Sequence, residues 1–168
     1  MHHTARGLTL MELLLVMLLM GIMTSLAMPG FLAFNQQNAR AAAVNQLQST
    51  LAFARNTAIT QRMYVTVCAV NNNRCDNDWN NEILIVTGDK KKAKDITPDE
   101  VIRRFAPITA LDITKNGGYR IRFDALGHSE GFQSSFEVCP TNTNEGRKVI
   151  ISGLGRVRID KQPHDCST

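Results

Sequence analysis

From Leu13 to Phe34 the chain runs twenty-two residues without a charge, broken only by Thr24, Ser25 and a few Gly and Pro. As a helix rising about 1.5 Å per residue this stretch would be roughly 33 Å long, enough to cross a bilayer core. From Asn35 to Arg62 polar residues return, yet Val44, Leu47, Leu51, Ala54 and Ala58 recur at intervals of three and four. That spacing predicts one apolar stripe packed against a core. The two segments together predict one long helix, with Pro29 expected to kink or loosen it by removing a backbone hydrogen bond. Beyond Arg62 the period changes to two. The segments M-Y-V-T-V-C, E-I-L-I-V-T, V-I-R-R-F, Y-R-I-R-F, F-E-V-C, R-K-V-I-I-S and G-R-V-R-I read as strands, parted by Asn, Gly, Pro and Lys-rich turns. The predicted class is α+β: a long N-terminal helix packed on a C-terminal, mostly antiparallel β-sheet domain.

Ahead of the apolar run stands a short head, Met1 to Gly7, ending in Arg6-Gly7 and followed by L-T-L-M-E. Glu12 is the anomaly, because a carboxylate entering lipid unpaired costs about 2.5 to 3.5 kcal/mol and so calls for a partner. Cleavage after Gly7 would make Leu8 the new N-terminus and Glu12 the fifth residue, placed to pair with a neighbouring subunit's terminal amine. A secretory signal ends its apolar run in a small-residue cleavage site, whereas here the cut-like glycine precedes the run. These residues resemble the type III signal of type IV pilins and pseudopilins. In that family a basic leader ends in Gly, a prepilin peptidase cuts there and N-methylates the new end, and the fifth residue is Glu. Gly7, Thr9, Leu10 and Glu12 fit that signal, while Leu8 stands where Phe is commoner.

The resemblance implies a cleaved leader (1–7), a transmembrane and polymerisation half of the helix (8–34), an amphipathic half (35–62) and a β-rich domain (63–168). It also implies a single-pass protein of the bacterial inner membrane, with its C-terminal domain in the periplasm, that later joins other pilins in a filament.

The formal charge is +4, from 19 basic and 15 acidic residues, and removing the leader's Arg6 leaves +3. That total alone does not specify a polyanion partner; placement must. The Lys90 to Lys94 run reads as a solvated loop. All four cysteines lie beyond residue 60, in the part that this topology exports, where disulfides are the default. Cys68 and Cys75 bracket the turn-rich A-V-N-N-N-R and are expected to pair across a hairpin. Cys139 and Cys166 would then tie the tail to a strand. With no C-x-x-C, no metal or cofactor site is expected.

Gly127-His128-Ser129-Glu130-Gly131 satisfies the G-x-S-x-G pattern of a hydrolase nucleophile elbow. The elbow requires a strand turning sharply into a helix, and F-Q-S-S-F-E-V-C follows instead, so a glycine-rich turn is expected and no enzyme.

Several features resemble the FimT, FimU and GspH branch of pilin-like proteins: A-R-N-T-A-I at the helix end, V-T-V-C, Trp79 before the next strand, F-D-A-L-G and a late G-R-V-R. The FimT branch is implied to hold DNA through G-R-x-R, here Gly155, Arg156, Val157 and Arg158. On a strand Arg156 and Arg158 would share one face about 6.6 Å apart at roughly 3.3 Å per residue. Val157 would face the core. Arginine is also the better phosphate fork. Arg120 and Arg122 repeat the pattern, and Arg147 and Lys148 precede the last strands, so these are further candidates.

Three readings follow: a minor pilin binding double-stranded DNA for uptake in natural transformation, a structural minor pilin priming assembly, or a GspH-like pseudopilin of a type II secretion system. The second and third draw support from an R-x-R edge strand being a common way to keep a sheet edge soluble.

Overall fold

The computed structural model describes residues 9–90, 95–109, 111–141 and 144–166, without the side chains at 26–29, 32 and 33. Gly7, Leu8 and the run from Lys91 to Lys94 lie outside the described residues. Helix α1 (Leu10–Gln61) takes in both predicted helical segments. The chain divides into two compact units, one ending at Asn38 and one beginning at Ala39.

In the first unit the described apolar side chains, from Leu10 through Met23 and again at Phe31 and Phe34, are exposed all around the helix. Thr24 donates to the carbonyl of Met20 at 2.9 Å and Ser25 to that of Ile22 at 2.8 Å, so the two hydroxyls are satisfied within the helix. Glu12 sits in the first turn, its N–H donating to the carbonyl of Thr9 at 3.1 Å. Among the described residues no helix is long and apolar enough to cross a membrane.

In the second unit the apolar stripe is buried as its spacing requires: Val44, Leu47, Leu51, Ala54 and Ala58 are each 4 % exposed or less. The helix stops where Arg62 takes a left-handed φ of +50° and Met63 N–H returns to the carbonyl of Ala58 at 3.2 Å.

Two five-stranded antiparallel sheets follow. The first comprises β1 (Val65–Asn71), β2 (Arg74–Asp76), β3 (Ile83–Thr87), β4 (Val101–Phe105) and β6 (Arg120–Phe123). Its order is β4-β3-β1, with β6 and β2 sharing the other flank of β1. The second comprises β5 (Leu111–Lys115), β7 (Ser134–Pro140), β8 (Glu145–Ile151), β9 (Val157–Ile159) and β10 (His164–Asp165). Its order is β5-β7-β8, with β9 and β10 sharing the free flank of β8.

The stripe of α1 and the inner faces of both sheets form one core. Trp79, just before β3, meets Phe136 of β7 edge-on with ring centroids 4.7 Å apart, linking the sheets.

Strand β5 was absent from the expected strands. L-D-I-T-K buries Leu111 and Ile113, but Asp112 and Lys115 are residue types that strands disfavour. The Lys90 to Lys94 expectation needs correcting at its first residue. Lys90 is 4 % exposed because its ammonium pairs with the Glu100 carboxylate. That ion pair, with the Thr97 N–H donating to Glu100 Oε2 at 3.0 Å, holds the Glu100 carboxyl down at about 2.

Candidate nucleic-acid interface

The G-R-V-R segment forms the second half of the β8–β9 hairpin. Its loop is closed by Gly155 N–H donating to the Ser152 carbonyl at 2.8 Å, Ser152 N–H to the Arg156 carbonyl at 3.0 Å, and Arg156 N–H to Ser152 Oγ at 3.2 Å. Gly155 has a φ of +73°, and a Cβ added there would lie 1.9 Å from the carbonyl oxygen of Gly127. Only glycine fits this crossing of two turns. Arg55 on α1 fastens it, donating from Nε to the Gly127 carbonyl at 3.0 Å and from Nη2 to the Leu154 carbonyl at 3.1 Å. A-R-N-T-A-I, F-D-A-L-G and G-R-V-R thus meet at one place. Gly155 is required there by packing.

Register places Ile151 opposite Val157 and Ile150 opposite Arg158. Val157 packs against the core, while Arg156 and Arg158 are exposed. Both guanidiniums lack a counter-charge, ring or hydrogen-bond partner among the described residues. They line a cleft of about 460 Å³ with Ile150, Asp160, Lys161 and Gln162.

The other basic candidates are spent on the fold. Arg120 and Arg122, on β6 of the first sheet, clasp one carboxylate: Asp89 Oδ1 lies 2.5 Å from Arg120 and Oδ2 2.8 Å from Arg122. Arg120 also donates to the Lys90 carbonyl. Both guanidiniums lie over the Phe132 ring at 5.0 to 5.1 Å, and Arg122 over Tyr64 at 4.9 Å. Arg147 donates to the Lys161 carbonyl at 3.3 Å. Lys148 pairs with Glu137 at 2.9 Å across the β7–β8 ladder, and His164 Nε2 lies 3.2 Å from the same carboxylate. The hydrogen bond from Lys148 is the main reason the Glu137 carboxyl is held below its usual range. Lys161, also at this cleft, carries no periodic signal in the sequence, being a lone lysine in D-K-Q-P.

Both cysteine pairs form disulfides, Cys68–Cys75 with a Cα–Cα distance of 5.4 Å and Cys139–Cys166 with one of 5.9 Å. The second passes over Gly146, where a Cβ would lie 2.4 Å from Cys166 Sγ. Ser129 of G-H-S-E-G is fully buried and donates to the Ser152 carbonyl at 2.8 Å. It braces the same hairpin and offers no exposed nucleophile.

A family model described as "Type II transport protein GspH" matches residues 43–155, more than half of the chain. The match includes Gly155 and ends before Arg156. No curated protein matches the sequence. Among solved structures, a crystal structure of the type IV minor pilin FimU of Pseudomonas aeruginosa is 22% identical with a TM-score of 0.64, covering 79% of this chain and 98% of that one. A second crystal form of FimU is 22% identical with a TM-score of 0.61, covering 75% and 98%. The minor pseudopilin EpsH from the type 2 secretion system of Vibrio cholerae is 13% identical with a TM-score of 0.52, covering 72% and 95%. At these identities the structures speak to the fold, a helix packed on antiparallel sheets. The family match carries the rest: the chain belongs to the GspH family of pilin-like proteins, which takes in minor pilins and pseudopilins.

Proposed function

We propose that this chain is a minor pilin that binds double-stranded DNA without sequence preference, for DNA uptake in natural transformation, and is not an enzyme. The observation that supports it is the state of Arg156 and Arg158: exposed, on one cleft, and in no ion pair among the described residues. Arginines held free on a hairpin that Arg55 fastens to α1 suit phosphate oxygens, which offer fork-shaped acceptors but carry no base information.

In the same proposal the leader is cut between Gly7 and Leu8 by a prepilin peptidase, and Glu12 pairs with a neighbour's new amine. The apolar helix first anchors the chain in the bacterial inner membrane with the sheet domain in the periplasm. The helix then packs among other pilins. Its apolar side chains exposed all round, with both hydroxyls bonded to helix carbonyls, suit lipid or a helical filament core.

The full chain in neutral detergent should bind unrelated duplexes with similar affinity. The log-log salt slope should be about 0.9 per phosphate neutralised. Replacing Arg156 and Arg158 together by Gln should remove most binding and leave filament assembly intact. A folded double variant that binds as the unmodified chain does would overturn the assignment.

The alternative, a structural minor pilin or a type II secretion pseudopilin, is favoured by one observation. Among the described residues strand β9 pairs only with β8, so exposed arginines there also keep an edge from pairing with other chains. Absence of any salt-sensitive DNA binding would leave that reading standing.

A further inference from the structure

The turn after β9 returns the chain toward the arginines. Asp160 N–H donates to the Lys148 carbonyl at 2.8 Å, and Gln162 N–H donates to Asp160 Oδ1 at 3.3 Å. The Arg147 guanidinium grips the Lys161 carbonyl from β8. Downstream, His164 pairs with Gly146 in β10, and Cys166 is bonded both to Cys139 and, through its N–H, to the Asn144 carbonyl at 2.8 Å. A turn anchored at both ends therefore holds the exposed Lys161 side chain at the cleft lined by Arg156 and Arg158, with Ile150 and Ile159 the apolar members of its lining. At about 460 Å³ the cleft falls within the roughly 300 to 1,000 Å³ usual for small ligands, room for a phosphate with its attached sugar.

We infer that Lys161 is a third phosphate-binding cation of this site, and that Asp160 is a built-in negative charge that keeps its grip weak. The inference rests on the DNA-binding reading above. Asp160 lines the same cleft and no cation pairs with it among the described residues, so its charge opposes any phosphate that enters. Arg147 and Lys148 act on the site only by holding the turn, through the Lys161 and Lys148 carbonyls.

The test uses the full chain in neutral detergent and a short duplex of scrambled sequence, titrated at several salt concentrations. Lys161→Gln should lower the log-log slope by about 0.9, so raising salt from about 50 to about 200 mM costs the variant about 3.5-fold less affinity than it costs the unmodified chain. Lys161→Arg should restore the slope. Asp160→Asn keeps an acceptor for Gln162 N–H and should tighten binding at every salt concentration. An unchanged slope in Lys161→Gln, with binding still abolished by the double arginine variant, overturns this inference and leaves the DNA reading intact. If the unmodified chain shows no salt-sensitive binding, both fall. Weakened or unchanged binding by Asp160→Asn refutes the role given to that carboxylate.

Discussion

Strands β6 and β9 occupy equivalent places in the two sheets: each is short, and each shares one flank of a long strand with another short strand. Two arginines in R-x-R spacing flank an inward apolar residue in each place, Ile121 within β6 and Val157 at the start of β9, where Arg156 immediately precedes the strand. Their surroundings differ. Beside β6 stand Asp89, the Lys90 carbonyl and the rings of Phe132 and Tyr64, and both guanidiniums are consumed. Beside β9 the residue facing Arg158 is Ile150, and Asp160, which lines the same cleft, forms no ion pair with either arginine among the described residues. The same local pattern is thus a structural clasp in one sheet and a free basic surface in the other. Binding chemistry is a property of what is left unsatisfied after folding.

The comparison is broken most directly by moving the damage. Arg120 and Arg122 both changed to Gln should leave DNA affinity within about twofold, because their charge is already met, but should destabilise the domain. Charged hydrogen bonds of this kind contribute about 1.5 to 3 kcal/mol each, discounted here because the group is partly solvated. Denaturant unfolding alongside a DNA titration separates the two effects. Loss of DNA binding equal to that of the β9 variant, in a protein still folded, would make the two strands equivalent after all.

A second prediction concerns what holds β9 in place. Gly155→Ala would combine a left-handed φ with a Cβ on the Gly127 carbonyl, so the two turns must separate and the Arg55 bonds with them. The expected cost exceeds the roughly 1 to 3 kcal/mol of backbone strain alone. DNA binding should weaken although no charge is removed. An unchanged melting temperature would show that the crossing is not needed.

The smallest expected effect is on acid stability, and it belongs to the first sheet. Glu100 is held at about 2, against an ordinary 4.5, chiefly by its bond from Lys90. A depressed carboxyl pKa stabilises the fold fully above the ordinary value, and that contribution is lost as pH falls from about 4.5 through about 2. Thermal unfolding across that range should decline more steeply in the unmodified chain than in Glu100→Gln. Parallel curves would remove Glu100 from the account.

Much of the fold was legible because its signals are local. The helix stripe, seven of the strands and the hairpin between Cys68 and Cys75 follow from the spacing of apolar residues and turns over a few positions. Strands β5 and β10 were not legible, because L-D-I-T-K carries Asp and Lys, which strands disfavour, and β10 is two residues long. At the candidate site, G-R-V-R drew attention to Arg156 and Arg158, and both are exposed as alternation requires. Arg120, Arg122, Arg147 and Lys148 were included for their charge, and their partners could not be seen.

The amino-acid sequence by itself determined the long helix with its two kinds of surface, the α+β class, and the alternation that turns Val157 inward and its neighbouring arginines outward. Periodicity suffices for these, since side-chain direction repeats with the backbone. Tertiary structure alone decided which R-x-R pair is free. Asp89 lies 31 residues before Arg120 in the chain and reaches it only when the first sheet closes. It likewise brought Lys161 beside Arg156 and Arg158, and revealed Gly155 as a packing requirement, because a glycine's reason for being is the group that passes where its side chain would have been.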